Sequence, residues 1–353
     1  MIRKQLRNAS KILSLSLIVL FLLVGCGTTQ TQTGAAKGTP ATNTAVTADY
    51  EFYNGKTVTL IVATAAGGGY DTYGRLLAPY LQKYLPGSTV IVKNVPGAGH
   101  VIGASEINNA KPDGLTIGTF DKGLILSQLI AQEGVKFDLS KFTWLGNGAS
   151  EPRVFIVATK SPFKTVDDMK KGNAIKLGGT GPGSSSTNDS LIIANILGLN
   201  LKMINGYGGQ GQDIAMMRGE IDGQIGAYSS MQTLLDTKEA TLILSIGKKK
   251  IGTTPNLRDL APADKKPLVD LEESQAQLSR LMAATPGIPE GRVIALREAI
   301  QKAFTDPELL SKADKAKMPI DFMNGEETGK LVSNALNQTP ELKKLIKDIT
   351  TAK

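Results

Sequence analysis

Three segments of this sequence place glycine and hydroxyl residues between a short apolar run and a helix-like stretch. The first is Thr64-Ala65-Ala66-Gly67-Gly68-Gly69-Tyr70-Asp71. The second is Gly178-Gly179-Thr180-Gly181-Pro182-Gly183-Ser184-Ser185-Ser186-Thr187, and the third Asn205-Gly206-Tyr207-Gly208-Gly209-Gln210-Gly211. Glycine lets a backbone approach a ligand closely. The first N–H groups of a helix lack internal partners and sit at the positive end of its dipole. Such ends hold phosphates, sulfates or carboxylates, and Ser and Thr hydroxyls add adjustable donors. The chemistry expected is therefore anion binding. Hydrogen bonds to a charged group contribute ~1.5–3 kcal/mol each, so four or five give roughly 8–12 kcal/mol gross. After the cost of association, micromolar binding of a carboxylate follows near the favourable end of that range, with no arginine required. A single such loop is also an ordinary turn or helix cap in α/β proteins; three together carry the reading.

Other chemistries fit less well. A Walker loop needs Gly-Lys-Ser/Thr, which follows none of these glycines. A dinucleotide fold wants an acid about 20 residues past its glycines, where this chain reads Lys93-Asn94. Aromatic residues are 5% of the chain, and the one tryptophan, Trp144, reads as a core or hinge residue rather than a sugar platform. There is one cysteine, Cys26, and one histidine, His100. That excludes an intrachain disulfide and a Cys/His metal cluster. No metal and no cofactor are expected. A hydrolase using a serine of the 184–186 loop would have to recruit His100, and no G-x-S-x-G elbow surrounds that loop. For His100 a local structural role is expected.

Strands and helices must alternate to present these loops. Val58–Ala63, Thr89–Lys93, Leu115–Phe120, Ala174–Gly178, Leu201–Ile204, Ile221–Ile225 and Leu242–Ile246 read as buried strands. Asp71–Tyr84, Gly103–Ala110, Asp189–Leu197, Gln212–Arg218, Arg292–Phe304 and Glu341–Ile349 read as helices. The alternation argues for α/β units with parallel sheets, and the length of 353 residues for two domains. The net charge is +8, of which Arg3, Lys4, Arg7 and Lys11 supply four, leaving +4 on the rest. No basic run is interleaved with aromatics, so no nucleic-acid partner is expected; Lys248-Lys249-Lys250 reads as a solvated turn.

The first 25 residues join that basic start to the apolar run 12–24 and Gly25, the pattern of a secretory signal. The run is short for a membrane span, which needs roughly 20 residues. Leu23-Val24-Gly25-Cys26 resembles a bacterial lipobox. The resemblance implies cleavage before Cys26 and acylation of its sulfur, which would tether the protein to the bilayer. Residues 26–50 are rich in Thr, Gly, Ala and Gln and read as a flexible tether.

The folded part resembles the solute-binding proteins of tripartite tricarboxylate transporters, the Bug family. The likeness runs through Ala66–Asp71 with Arg75, Val92–Gly99 and Ile102-Gly103-Ala104. It continues through Pro112–Thr116, Ser161–Thr165, Gly183–Ser186, Gly219–Asp222 and Thr285–Pro289. It implies an α/β, two-lobed periplasmic-binding-protein-like fold of type II, a Venus flytrap with the ligand cleft between its lobes. Residues 51–153 and 277–353 would form the first lobe, and 154–276 the second. The ligand would be held by loop N–H groups and waters at Thr64, Ala65, Gly67, Gly68, Gly69, Tyr70 and Asp71. The second lobe would contribute Gly181, Ser184, Ser185, Ser186 and Thr187, then Gly206, Tyr207, Gly208 and Tyr228. Ala63-Thr64 departs from the proline and aromatic usual in the family, and His100 replaces a usual glycine. The function implied is an extracytoplasmic, lipid-anchored, monomeric receptor that is not an enzyme. It would capture a small organic carboxylate and deliver it to the membrane permease subunits. The alternatives are the receptor of an ATP-driven importer and, from another class, the exported hydrolase.

Overall fold

A computed structural model describes residues 46–351 of the chain. The signal stretch, Cys26 and the tether up to residue 45 lie outside the described residues. Packing begins by Asp49, two residues before the boundary drawn at 51. Asp49 N donates to Gly291 O, and Tyr50 OH to Glu298.

The apolar runs become strands that are buried because neighbours cover both faces. In chain order the first set is β1 (Thr57–Val62), α1 (Gly69–Tyr84), β2 (Thr89–Asn94), α2 (Val101–Asn108), β3 (Thr116–Phe120), α3 (Gly123–Leu129) and β4 (Thr143–Asn147). The chain then crosses to β5 (Arg153–Ala158), α4 (Val166–Lys171), β6 (Ile175–Gly179), α5 (Ser185–Leu197), β7 (Leu201–Asn205), α6 (Gly211–Arg218) and β8 (Gly223–Ala227). Next are α7 (Tyr228–Asp236), β9 (Ala240–Ile246), α8 (Leu257–Leu260) and α9 (Lys266–Gln275). It returns through β10 (Leu281–Ala284), α10 (Glu290–Phe304), α11 (Pro307–Lys315), β11 (Met323–Asn324), α12 (Gly325–Leu336) and α13 (Pro340–Thr351).

Two sheets result, one per lobe. The first has the order β11-β4-β10-β3-β1-β2, the second β7-β6-β8-β5-β9. Both are mixed, where the sequence argued for parallel ones. β2, β1 and β3 run parallel, as do β7, β6 and β8. β10 lies antiparallel to β3 and β4, and β5 antiparallel to β8 and β9. β5 and β10, two of the reversed strands, follow the crossings between lobes, and the short β11 is antiparallel to β4; βα periodicity registers none of these reversals. Each sheet carries a core on both faces: Leu60 and Ile117 on one side of the first and Ile61 and Phe120 on the other, Phe155 and Val154 likewise in the second.

One element departs from the division drawn from the resemblance. Helix α13 was grouped with the first lobe. Its Ile346 and Ile349 instead join the core of the second, against α5. The apolar face of this amphipathic helix is buried there because α5 is apolar on that side too.

Candidate functional site

The C-terminal ends of parallel strands from both sheets meet across a cleft of about 620 Å³, within the range of small-ligand sites. The β1–α1 loop forms one wall. Helix α1 begins at Gly68 with no side-chain cap, and Thr64, Ala65, Gly67, Gly68, Gly69 and Tyr70 line the cleft. Asp71 does not; it braces the loop from behind. Its Oδ2 accepts from Gly67 N and Arg75 Nε, both at 2.9 Å, and its Oδ1 from Asn94 Nδ2 at 2.9 Å. Burial would raise this carboxyl, but Arg75, Gly67 and Asn94 outweigh it and leave it below its usual value. Arg75 is thus a structural partner of Asp71.

The second loop divides in the same way. Ser185 and Ser186 line the cleft, with Thr180. Ser184 is the cap of α5: its Oγ accepts from Thr187 N and donates to Gly181 O at 2.7 Å. Thr187 donates to Asn205 Oδ1 at 2.6 Å. Gly181, Ser184 and Thr187 therefore shape the loop rather than face the cleft. In the third loop Gly208 and Gly209 line the cleft, while the N–H groups of Gly206 and Tyr207 turn back to Gly179 O. Tyr228 packs at the edge of a core; its neighbours Ala227, Ser229 and Ser230 are the ones at the cleft.

The lobes touch. A Cβ placed on Gly68 would lie 3.4 Å from Gly209 Cα, and one on Gly208 3.2 Å from Ala65 Cβ. A Cβ on Gly99 would meet Pro182 O, and Ser184 N at 2.8 Å. This is a closed arrangement.

Several cleft residues were absent from the sequence reading. Asp121, in the turn after β3, is buried. Its Oδ1 accepts from Gly123 N at 2.7 Å and Ser185 N at 2.9 Å; its Oδ2 accepts from Ser185 Oγ at 2.7 Å and Tyr70 OH at 3.0 Å. Burial would raise its pKa, yet the His100 and Arg153 charges and these hydrogen bonds hold it well below the carboxylate range. It pushes the Tyr70 phenol, already raised by burial, further up. Arg280 lies 4.8 Å from the Tyr70 ring centre and 4.4 Å from that of Tyr73, with Glu151 at 3.5 Å. Arg153 pairs with Asp189. Lys122 reaches Asp189 at 3.2 Å and Glu272 at 3.9 Å. Arg153 and Arg280 sit where the chain crosses between lobes. The only signal in the sequence is a charged residue beside an apolar run at each crossing.

His100 also lines the cleft, where only a structural role was expected. Its Nδ1 lies 2.9 Å from Ala63 O and its ring centre 6.0 Å from that of Tyr70. The Ser184 and Ser185 hydroxyls are directed to Gly181 O and Asp121, and no described serine is hydrogen-bonded to His100. No helix among the described residues is long and apolar enough to cross a membrane.

Residues 74–350 match the tripartite tricarboxylate transporter family receptor pattern. A UPF0065 protein of Cupriavidus necator is 26% identical over 298 residues, which cover 80% of this chain and 84% of the relative. One of Agrobacterium vitis is 25% identical over 266 residues, 74% of this chain and 75% of the relative. Among solved structures the periplasmic binding protein BugD superposes with a TM-score of 0.70 at 21% identity, covering 83% of this chain and 97% of its own. MatC of Rhodopseudomonas palustris with bound malate gives 0.68 at 18%, covering 84% and 99%. These likenesses establish a two-lobed binding-protein fold.

Proposed function

The chain belongs to the tripartite tricarboxylate transporter family of receptors, and from that premise we propose that its cleft captures a small organic carboxylate and hands it to the transporter's membrane permease. The observation that carries the reading is the uncapped start of α1. Its first-turn N–H groups belong to Gly69, Tyr70 and Asp71, and the glycine loop before it lines a closed interlobe cleft. The malate held by MatC belongs to the same ligand class, as does the adipate held by a second R. palustris protein of this fold. Binding shifts an open–closed equilibrium and involves no covalent step. Capture takes place outside the cytoplasmic membrane, and an acylated Cys26 would keep the receptor on the bilayer as a monomer. The ligand contacts fall to Thr64, Ala65, Gly67, Gly68, Gly69, Tyr70, Ser185, Ser186 and Gly208, the subset of the sequence candidates at the cleft.

A thermal-shift screen of the purified protein against malate, succinate, adipate, glutamate and benzoate, each beside its neutral amide, tests this. A carboxylate at 100 times its Kd stabilises by about 2.7 kcal/mol, and its amide should not. Stabilisation by sugars or nucleotides in place of carboxylates would refute it.

A further inference from the structure

We propose that His100 receives the carboxylate of the bound ligand, presenting a proton on Nε2 to it from the first lobe. The inference rests on the carboxylate reading above and names a side-chain donor that reading leaves out.

The backbone holds His100 in place at a cost. Gly97, Ala98, Gly99 and His100 all have positive φ (130°, 45°, 61° and 79°), a region that suits glycine and that other residues enter uncommonly, histidine more readily than most. Strain of this kind persists where the surrounding structure over-determines it, and it collects at ligand clamps. The interlock of Gly99 with the Pro182–Ser184 backbone is what over-determines it here.

The ring is oriented as firmly as the backbone. A carbonyl oxygen only accepts, so the contact to Ala63 O requires the hydrogen on Nδ1. In the neutral ring Nε2 is then a bare acceptor, and it gains a hydrogen only when the imidazole becomes charged. Nε2 makes no hydrogen bond to any described residue, although the ring is 4% exposed and lines the cleft.

Charge decides which form the ligand meets. Beside the ring are Asp121 from the turn after β3 and Tyr70 from α1; Arg153 of β5 and Arg280, just before β10, line the same cleft. Asp121 already accepts four hydrogen bonds. Arg153 is paired with Asp189, and Lys122 with Asp189 and Glu272; Arg280, 3.5 Å from Glu151, also lines the cleft and keeps its Nε without a partner among the described residues. A desolvated ligand carboxylate needs a compensating charge, and the imidazolium, the form whose charge also holds Asp121 down, supplies one.

The test is isothermal titration of the full protein with malate, succinate, adipate, glutamate and benzoate. It is run from pH 5.5 to 8.5 in buffers of different ionisation enthalpy. H100G suits the positive φ, and H100N tolerates it without being able to charge. On the alkaline side the unmodified protein should take up about one proton with ligand, so that its affinity there falls by up to about tenfold per pH unit. Both variants should lose about tenfold or more at pH 6 and lose the slope, while each still unfolds cooperatively when free of ligand. A carboxylate bound without proton uptake, or equally well by both variants, overturns this assignment and leaves the receptor reading intact. Failure of every carboxylate at every pH overturns both.

Discussion

At the scale of single residues, Asp121 changes the meaning of a motif. The 184–187 loop reads from sequence as an anion cradle at a helix start. In the structure the anion at that start is the protein's own: Asp121, from the other lobe, takes the Ser185 N–H and hydroxyl. The start of α5 is therefore already occupied, whereas that of α1 has no side-chain cap. D121N should cost about 3 kcal/mol in urea unfolding, because an amide leaves donors facing donors in a buried site. A change within 0.5 kcal/mol would mean that Asp121 is not a true cap. The glycine loops were legible because glycine and hydroxyl residues before a helix have a local reason. Asp121 was not, since nothing local links positions 121 and 185. The same holds for Asp71, whose motif position is right and whose direction, back toward Arg75 and Asn94, depends on a strand 23 residues away.

Among the elements, the β2–α2 turn and the loop before α5 act as interlocking parts. Gly99 abuts the Pro182–Ser184 backbone, so the turn can close against it only without a side chain. G99A adds a methyl 2.8 Å from Ser184 N in the closed form. Overpacking of this kind costs about 1–3 kcal/mol, which should appear as a roughly 5- to 150-fold loss of ligand affinity. Small-angle scattering should show the liganded variant more open than the unmodified protein. Unchanged affinity and radius would separate this contact from closure. The elements with clear periodicity were those readable in sequence: α1, α10 and α13 show apolar residues at helical spacing, and β1 is a continuous apolar run. Helix α3 escaped notice for a physical reason. Residues 123–127 are all buried, with Leu126 and Ile130 reaching into the second lobe's core, so the segment has no polar face to mark a period.

For the whole molecule, the two crossings and the buried charges between them set the balance between lobes. Two cations, Lys122 of the first lobe and Arg153 of the second, face three carboxyls, those of Asp121, Asp189 and Glu272. Asp121 is held ionised, so the excess falls on Glu272. Burial and then the Asp189 charge push its carboxyl up to about 8, against the pull of Lys122 and Arg153. The folded protein therefore keeps a proton there between its ordinary value of 4.5 and about 8, where the unfolded chain has released it. More protons bound to the folded state means that stability falls as pH rises through this window and levels off above it. At one pKa unit per ~1.4 kcal/mol the decline attributable to this group is at most a few kcal/mol. E272Q keeps the shape and removes the titration, so the difference in unfolding free energy between variant and unmodified protein should move in the variant's favour from pH 5 to 8. A difference that stays flat across those pH values would place the missing proton elsewhere in the cluster. Because this carboxyl lies on α9 and His100 on the first lobe, the ligand-free stability slope and the ligand-affinity slope are separable. H100G should leave the first largely in place and abolish the second.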